Sequence, residues 1–367
     1  RSRGLGDVYK RQGMASYPTF NLNDPRKLTG MYTDEEIKDM SDEEYRNNLY
    51  SLWTNYCVSE SYEPGSTFKP VTVASALEEG VVKDGDTYVC KGFETVADYK
   101  LKCHVFSTIG SHGSLTVEQA LMNSCNPYMI HLALEMGNSR FAYYQSLFGF
   151  GKTTGIDLPG ETTGIVYGDR MTTIDAACNS FGQTINVNMM QMMAAYCSII
   201  NGGMLYQPHI VKRIESANGE VVKEYKANLV RQTITASTSK LLRRYLKNTV
   251  EEGTAKKAGV TGYSVAGKTG TAQKGDRKDN KWIISFIGHA PAENPKFAIY
   301  VVIDEPYGTT GTSGSSADVL TLTHNILEKL LPYMNVYKDA SDEYEDTSSS
   351  PDELTVDGIP AGTASSN

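Results

Sequence analysis

The chain has no long apolar run and no broad concentration of positive charge. No stretch approaches the roughly 20 apolar residues that a membrane-crossing helix needs, so we expect no transmembrane helix within its 367 residues. The net charge of −8 is uneven: residues 1–12 carry +3 and residues 338–367 carry −7, which leaves −4 for the body. A mildly acidic body offers no basic face, which argues against nucleic acid as the main ligand.

Cysteine and histidine are scarce and lack the short spacings of metal motifs. Six of each are present, without a C-x-x-C pair or an H-E-x-x-H segment, so we expect no metal site and no cofactor. Cys90 and Cys103 flank a stretch with the pattern of a hairpin. A disulfide formed in an oxidising compartment and two free thiols both fit that placement.

Composition divides the chain into three parts. Residues 1–12 have no hydrophobic period and resemble translated adapter sequence from assembled metagenomic reads; a basic juxtamembrane segment is the alternative. Residues 13–337 have the composition of a globular domain, with a polar, partly helical lead-in over 13–60. Residues 338–367 are acidic and serine-rich, which is typical of a disordered tail or linker.

Helix and strand signals are segregated along the body. Helices are predicted over 67–79, 117–122, 189–200 and 316–331. Strands are predicted over 209–214, 221–225, 282–288 and 297–303, the first two around an Asn218-Gly219 turn. Neighbouring strands joined by short loops indicate an α+β fold, with an antiparallel sheet flanked by helices and an inserted helical subdomain.

A serine and a lysine with helical spacing are the strongest local sign of chemistry. Ser66 precedes Lys69 by three residues, which stacks the two side chains on one face. A serine hydroxyl needs a neighbouring base to become a nucleophile, and burial enables a lysine to act as that base. The pattern is weak alone, because Ser237 and Lys240 repeat it at what reads as an ordinary helix start.

Two further motifs distinguish the first copy from the second. Ser124-Cys125-Asn126 follows an apolar helix and precedes a proline, and Lys268-Thr269-Gly270-Thr271 offers a cation, two hydroxyls and a glycine. The order S-x-x-K, S-x-N, K-T-G matches the serine acyl-transferase set of penicillin-binding proteins and class A β-lactamases.

A phosphate-loop reading competes for the last motif. GYSVAGKT, residues 262–269, fits G-x-x-x-x-G-K-T. Such a loop needs a buried strand before it and a helix after it, whereas the flanking sequence is polar and has no helical period. We therefore expect no nucleotide site.

Longer stretches around the motifs resemble class B, monofunctional penicillin-binding proteins from about Met14 to Val336. The likeness is carried by MASYPTFNLNDP, YEPGSTFKP, FGFGKTTGIDLPGE, SFGQTINV, NGGMLYQPHIV, AGKTGTAQ and SFIGHAPAENPKFAIYVVIDEP. The resemblance implies the fold shared with serine β-lactamases and a place at the extracytoplasmic face of a bacterial membrane. It also implies an N-terminal anchor and a pedestal domain that this sequence does not contain.

The resemblance implies a covalent mechanism. Ser66 would form an acyl-enzyme with the penultimate D-alanine of a peptidoglycan stem peptide, and Lys69 would be the base. Ser124 would relay a proton to the leaving group with Lys268, and Asn126 would bond the substrate amide. β-Lactams would acylate the same serine, and the protein partners would be wall-synthesis proteins of division, elongation or sporulation.

The resemblance also implies a substrate-binding strand. Thr269 and Thr271 would bind the terminal carboxylate of the peptide, and Gly270 would let the substrate backbone approach closely. The backbone N–H groups of Ser66 and Thr271 would form the oxyanion hole. Two other functions remain open: a hydrolase on the same fold, as in a carboxypeptidase or β-lactamase, and a non-catalytic division scaffold.

Overall fold

The computed structural model describes residues 13–28, 32–275, 281–306 and 315–340. The helices are α1 (Asp34–Asp39), α2 (Asp42–Trp53), α3 (Tyr56–Ser59), α4 (Lys69–Glu79), α5 (Val117–Met122), α6 (Asn126–Met136), α7 (Asn138–Leu147), α8 (Thr173–Asn179), α9 (Met189–Ile200), α10 (Ala236–Glu251) and α11 (Ala317–Tyr333). The strands are β1 (Thr87–Cys90), β2 (Phe93–Val96), β3 (Tyr99–Lys102), β4 (Gly113–Thr116), β5 (Met204–Tyr206), β6 (Arg213–Glu215), β7 (Val221–Glu224), β8 (Leu229–Gln232), β9 (Ala266–Lys274), β10 (Lys281–Ala290) and β11 (Phe297–Asp304).

An antiparallel sheet of order β11-β10-β9 has a hydrophobic core on each face. Side chains alternate along β10: Ile283 and Ile287 join the core that contains α4 and α9, whereas Ile284 and Phe286 join the core against α11. This alternation follows from the two-residue period of a strand. The α+β arrangement predicted from the sequence is confirmed, with helices on both faces of the sheet.

Helix α4 is the central helix of the larger core. It contacts α5, α6, α7, α9 and α10, and its residues from Lys69 to Ala76 are buried. It ends where Gly80 adopts a left-handed conformation with φ 78°, which is common for a glycine after the last helical residue. Lys69, at the start of this helix, is therefore withdrawn from solvent.

Short strand pairs make up the rest of the β structure in the described residues. The predicted hairpin between Cys90 and Cys103 is confirmed as β2 paired with β3, and the Asn218-Gly219 turn joins β6 and β7.

The predicted strand over 209–214 is wrong for its first residues. The N–H groups of Ile210 and Val211 donate to the Asp157 carboxylate, at 2.7 and 2.9 Å, and so are committed to a side chain rather than to a strand partner.

The two ends of the chain were predicted to differ from the body. Within the described part, Asp339 accepts bonds from the backbone N–H and the hydroxyl of Ser264, so the chain contacts the body at least as far as this residue. The predictions for residues 1–12 and for most of the 338–367 tail concern residues outside the described part. None of the described helices combines the length and apolar character required to cross a bilayer.

Candidate active site

Ser66 lies in a tight turn that leads into the central helix. Gly65–Phe68 forms a single 3-10 turn, and the backbone N–H of Lys69 donates to the Ser66 carbonyl. Side chains three residues apart eclipse one another in 3-10 geometry, so the Ser66 and Lys69 side chains leave the backbone on the same side. Ser66 is half-buried and Lys69 is 0% exposed, so a serine open to a cleft stands before a fully buried lysine.

The buried Lys69 ammonium holds the turn that carries the Ser-x-Asn motif. Its Nζ donates to the carbonyl oxygen of Ser124 at 2.6 Å, to the hydroxyl of the same residue at 2.9 Å and to Oδ1 of Asn126 at 2.6 Å. Ser124 has φ 53°, a left-handed conformation that non-glycine residues seldom adopt. The structure therefore brings three predicted residues together across 55 and 57 positions of sequence.

Burial lowers the pKa of both lysines of the site, Lys69 and Lys268, because the charged form is poorly solvated there. It lowers the pKa of Lys69 to about 8, although the thiols of Cys125 and Cys103 oppose that shift. Burial, with a smaller contribution from the charge of Lys69, lowers the pKa of Lys268 well below its usual value. An amine whose pKa lies near neutrality can exchange protons with a hydroxyl, which a solvated lysine does poorly.

The Lys268-Thr269-Gly270-Thr271 motif lies in β9, at the edge of the sheet. One side of β9 pairs with β10, and the other packs against the 3-10 turn of Ser66. Lys268 is 0% exposed, and its Nζ lies 3.3 Å from the Thr269 carbonyl oxygen and 3.4 Å from the Thr269 hydroxyl. The four motif residues thus form one wall beside the serine.

Two glycines permit the close approach of that wall. Gly65 has φ 56°, and a Cβ on it would lie 2.6 Å from the carbonyl oxygen of Thr271. A Cβ on Gly270 would lie 2.5 Å from the Ser285 hydroxyl and 2.9 Å from the carbonyl oxygen of Pro64. The missing side chain of Gly270 admits the protein's own serine turn, and the approach of substrate backbone to the same glycine stays a prediction.

A buried chain of hydroxyl groups supports the serine turn from behind. Tyr62 donates to the Tyr300 hydroxyl at 2.8 Å, which lies 3.3 Å from the Thr67 hydroxyl, and Thr67 donates to the Pro64 carbonyl at 2.7 Å. Burial raises the pKa of Tyr300 and of Tyr62, so both phenols stay protonated. Nothing local in the sequence reveals this role of Tyr62, because its partner lies 238 residues away.

A cavity of about 380 Å³ lies at the C-terminal end of β9, and its lining does not include Ser66, Lys69 or Lys268. Gln273 and Lys274 of the strand line one side, and Glu63 and Gln183 line another. The lining carries both charge signs, because Lys274 pairs with Asp304 at 2.9 Å. Polar groups of both signs suit a peptide better than a purely apolar ligand.

The structure explains the two misleading sequence matches, the second Ser-x-x-Lys pair and the phosphate-loop pattern. Ser237 and Lys240 are exposed at the start of α10, where the Ser237 hydroxyl lies 2.9 Å from the hydroxyl of Thr235. The phosphate-loop match is also explained, because Gly267, Lys268 and Thr269 are consecutive residues inside β9 rather than a loop before a helix. Neither segment has the geometry that its pattern suggested.

The cysteines form a group that spacing did not reveal. All six are free thiols in the structure, including Cys90 and Cys103. Cys90, Cys103 and Cys125 lie with His112 in one cluster beside the Ser-x-Asn turn, although absent short motifs had indicated no metal site. The ligand atoms come from four separate places in the chain, which short-range spacing cannot detect.

Sequence comparison identifies relatives over most of the chain. Residues 11–328 match the family described as penicillin binding protein transpeptidase domain. Stage V sporulation protein D of Bacillus subtilis is 38% identical over 330 residues, which are 88% of this chain and 47% of that protein. Peptidoglycan D,D-transpeptidase FtsI of Escherichia coli K12 is 32% identical over 292 residues, 78% of this chain and 46% of that protein.

Solved structures agree with this fold. Penicillin binding protein 3 of Mycobacterium tuberculosis, in complex with aztreonam, superposes with a TM-score of 0.70 at 29% identity, covering 78% of this chain and 66% of that one. The D,D-transpeptidase domain of a peptidoglycan glycosyltransferase from Eggerthella lenta gives a TM-score of 0.71 at 27% identity, covering 87% and 75%. The chain spans about half the length of the curated relatives it matches.

Proposed function

The chain belongs to the family of penicillin-binding protein transpeptidase domains, of the class B type, and from this premise we propose that it is a serine D,D-transpeptidase that cross-links bacterial peptidoglycan. The observation that carries the proposal is the buried lysine of the site. Lys69 is fully enclosed, bonded to Ser124 and Asn126, and placed one turn after the accessible Ser66. The nucleophile and the base thus leave the same side of one turn, which is the placement that acyl transfer requires.

The first chemical step forms an ester on the serine. Lys69 in its neutral form takes the Ser66 proton while Oγ attacks the carbonyl carbon of the penultimate D-alanine. The peptide bond to the terminal D-alanine breaks, and its nitrogen receives a proton through the Ser124 hydroxyl, which lies 2.9 Å from Lys69. Lys268, whose pKa burial lowers well below its usual value, assists this proton transfer.

The second step returns the enzyme to its starting state. The amine of a neighbouring stem peptide attacks the ester carbonyl, the C–O bond to Ser66 breaks, and a proton returns to the serine oxygen. Backbone N–H groups of Ser66 and Thr271 stabilise the oxyanion in both steps. The approach of Gly65 to the Thr271 backbone supports this role, because it places the two segments side by side.

Substrate recognition is assigned to β9. Thr269 and Thr271 bind the terminal carboxylate, and the Asn126 side chain, whose Nδ2 donates to the Lys102 carbonyl at 3.3 Å, bonds the substrate amide. Gly270 keeps the strand close to the serine turn. β-Lactams carry a carboxylate beside a strained amide, so they acylate Ser66 in the same pose.

The cellular setting follows from the substrate. Peptidoglycan lies outside the cytoplasmic membrane, so we place this domain at the extracytoplasmic face. Relatives named for sporulation and for D,D-transpeptidation lead us to propose partners among the wall-synthesis proteins of division, elongation or sporulation.

Intact-mass measurement after incubation with a labelled penicillin tests the proposal. We expect a stable adduct on the wild type and none on Ser66→Ala, while Ser237→Ala, the matched serine of the second motif, is acylated as the wild type is. An adduct on Ser66→Ala would refute the assignment of the nucleophile.

Two other outcomes would replace the proposal. Rapid loss of the adduct would identify a hydrolase, in which water rather than an amine reaches the ester. A folded wild type that forms no adduct would identify a non-catalytic scaffold.

A further inference from the structure

Three cysteines and one histidine converge beside the Ser-x-Asn turn. Cys90 ends β1, Cys103 follows β3, His112 precedes β4 and Cys125 is the N-cap residue of α6. Their three sulfur atoms and one imidazole nitrogen all lie within 4.8 Å of one another. The thiols are 1%, 3% and 0% exposed and the histidine is half-buried, so the cluster is enclosed except on the imidazole side.

The separations suit a tetrahedral metal ion. Zinc binds sulfur at about 2.3 Å and imidazole nitrogen at about 2.0–2.1 Å, so ligand atoms at tetrahedral corners lie roughly 3.6–3.8 Å apart. Nδ1 of His112 is 3.5 Å from Sγ of Cys103 and 3.8 Å from Sγ of Cys90. We propose that Cys90, Cys103, His112 and Cys125 form a structural zinc site.

Backbone amides point at the sulfur atoms as they do around bound zinc. The N–H of Gly92 donates to Sγ of Cys90 at 3.4 Å, and the N–H of Asn126 donates to the Cys103 sulfur. The N–H of Cys103 in turn bonds the Gly92 carbonyl at 2.8 Å, which fixes the two thiols relative to each other. Such second-shell bonds stabilise thiolate ligands and orient them.

The donor set selects among metals. Three thiolates and one imidazole in tetrahedral array favour zinc, whereas magnesium and calcium require oxygen ligands and iron–sulfur clusters usually take four cysteines. The rival chemistry is a disulfide, because the Cys125 thiol is hydrogen-bonded to Cys103 and an oxidising compartment would permit that bond. A disulfide would consume two of the four ligands, so the two states exclude each other and can be distinguished.

The site has a consequence for the active centre, which rests on the proposed function. Cys125 stands between Ser124 and Asn126, the two residues that bond Lys69. A zinc ion held by Cys125 and by residues next to β1, β3 and β4 would anchor that turn to the small strands. Chelation is therefore expected to slow acylation of Ser66 and to lower the melting temperature.

Metal analysis of the full chain tests the site without reference to activity. Protein purified with zinc under reducing conditions is expected to hold about one zinc per chain. Cys90→Ser and His112→Ala should lose most of it. A matched control should keep it: Cys178→Ser removes a buried thiol that lies outside the cluster.

Substitution with cobalt tests the coordination geometry of the proposed site. Reduced protein loaded with cobalt should show sulfur-to-metal charge transfer and the intense visible bands of a tetrahedral ion, both absent in Cys90→Ser. The proposal fails if the reduced wild type binds no zinc or if Cys90→Ser binds as much zinc as the wild type. It also fails if the protein mass is two hydrogen atoms below that of the fully reduced chain and two thiols do not react with a thiol reagent, because that result identifies a disulfide. Zinc binding without a penicillin adduct would defeat the proposed function alone, and an adduct without zinc would defeat only this inference.

Discussion

The pattern Ser-x-x-Lys occurs twice in the molecule, and the two copies have opposite surroundings. Lys69 is 0% exposed on a helix buried in the larger core, and it bonds Ser124 and Asn126. Lys240 and Ser237 are exposed on the first turn of α10. Spacing stacks both pairs alike, so the difference lies in desolvation, which turns a lysine into a proton acceptor only in the first copy.

Removing the lysine of each copy should give the largest contrast. Lys69→Met keeps most of the side-chain volume but deletes the base, so acylation by penicillin should slow by about 10²–10⁴-fold. Lys240→Met should leave the rate unchanged. The measurement is the rate of adduct formation by intact mass, with a thermal melt to confirm folding; a folded Lys69→Met that reacts at the wild-type rate would contradict the role of this base.

The pH dependence of the acylation rate should follow the protonation of Lys69, the lysine of the buried copy. Burial lowers the pKa of Lys69 to about 8, and the neutral amine is the reactive form, so the rate should rise with pH. Between pH 7 and pH 9 the neutral fraction, and with it the rate, increases about tenfold and then levels off. Chelator-treated protein is used so that the nearby thiols carry no metal. A flat profile, or one changed by Lys240→Met, would remove the distinction between the copies.

A change beside the second Ser-x-x-Lys copy should affect stability rather than acylation, and its effect should be the smallest of the three. Thr235 caps α10 by accepting a bond from the N–H of Thr238 at 3.4 Å. Thr235→Ala should lower the free energy of unfolding by about 1 kcal/mol and leave acylation of the folded protein unchanged. Urea denaturation measures the first quantity. Ser237→Ala is the control, with an expected change within about 0.5 kcal/mol; a larger loss there would mean that the motif serine itself supports the helix.

Local rules determined much of the fold. Gly80 ends α4 and Gly219 completes a turn, with φ 78° and 88°, because a missing Cβ makes those conformations accessible whatever surrounds them. The alternating residues of β10 and β11 likewise predict a strand pair before any partner is known. Prediction was wrong at Ile210, where the remote carboxylate of Asp157 takes the backbone N–H.

The sequence alone also determined the chemical inventory of the site: a serine and lysine one turn apart, a Ser-x-Asn turn and a Lys-Thr-Gly strand in a recognisable order. Tertiary structure decided which Ser-x-x-Lys copy is buried, how Gly270 admits the serine turn, and that four dispersed residues form the thiol and imidazole cluster. The physical reason is the sequence separation over which each kind of interaction acts. Backbone sterics and periodicity act over a few residues, whereas desolvation and ligand convergence arise from packing between residues tens to hundreds of positions apart.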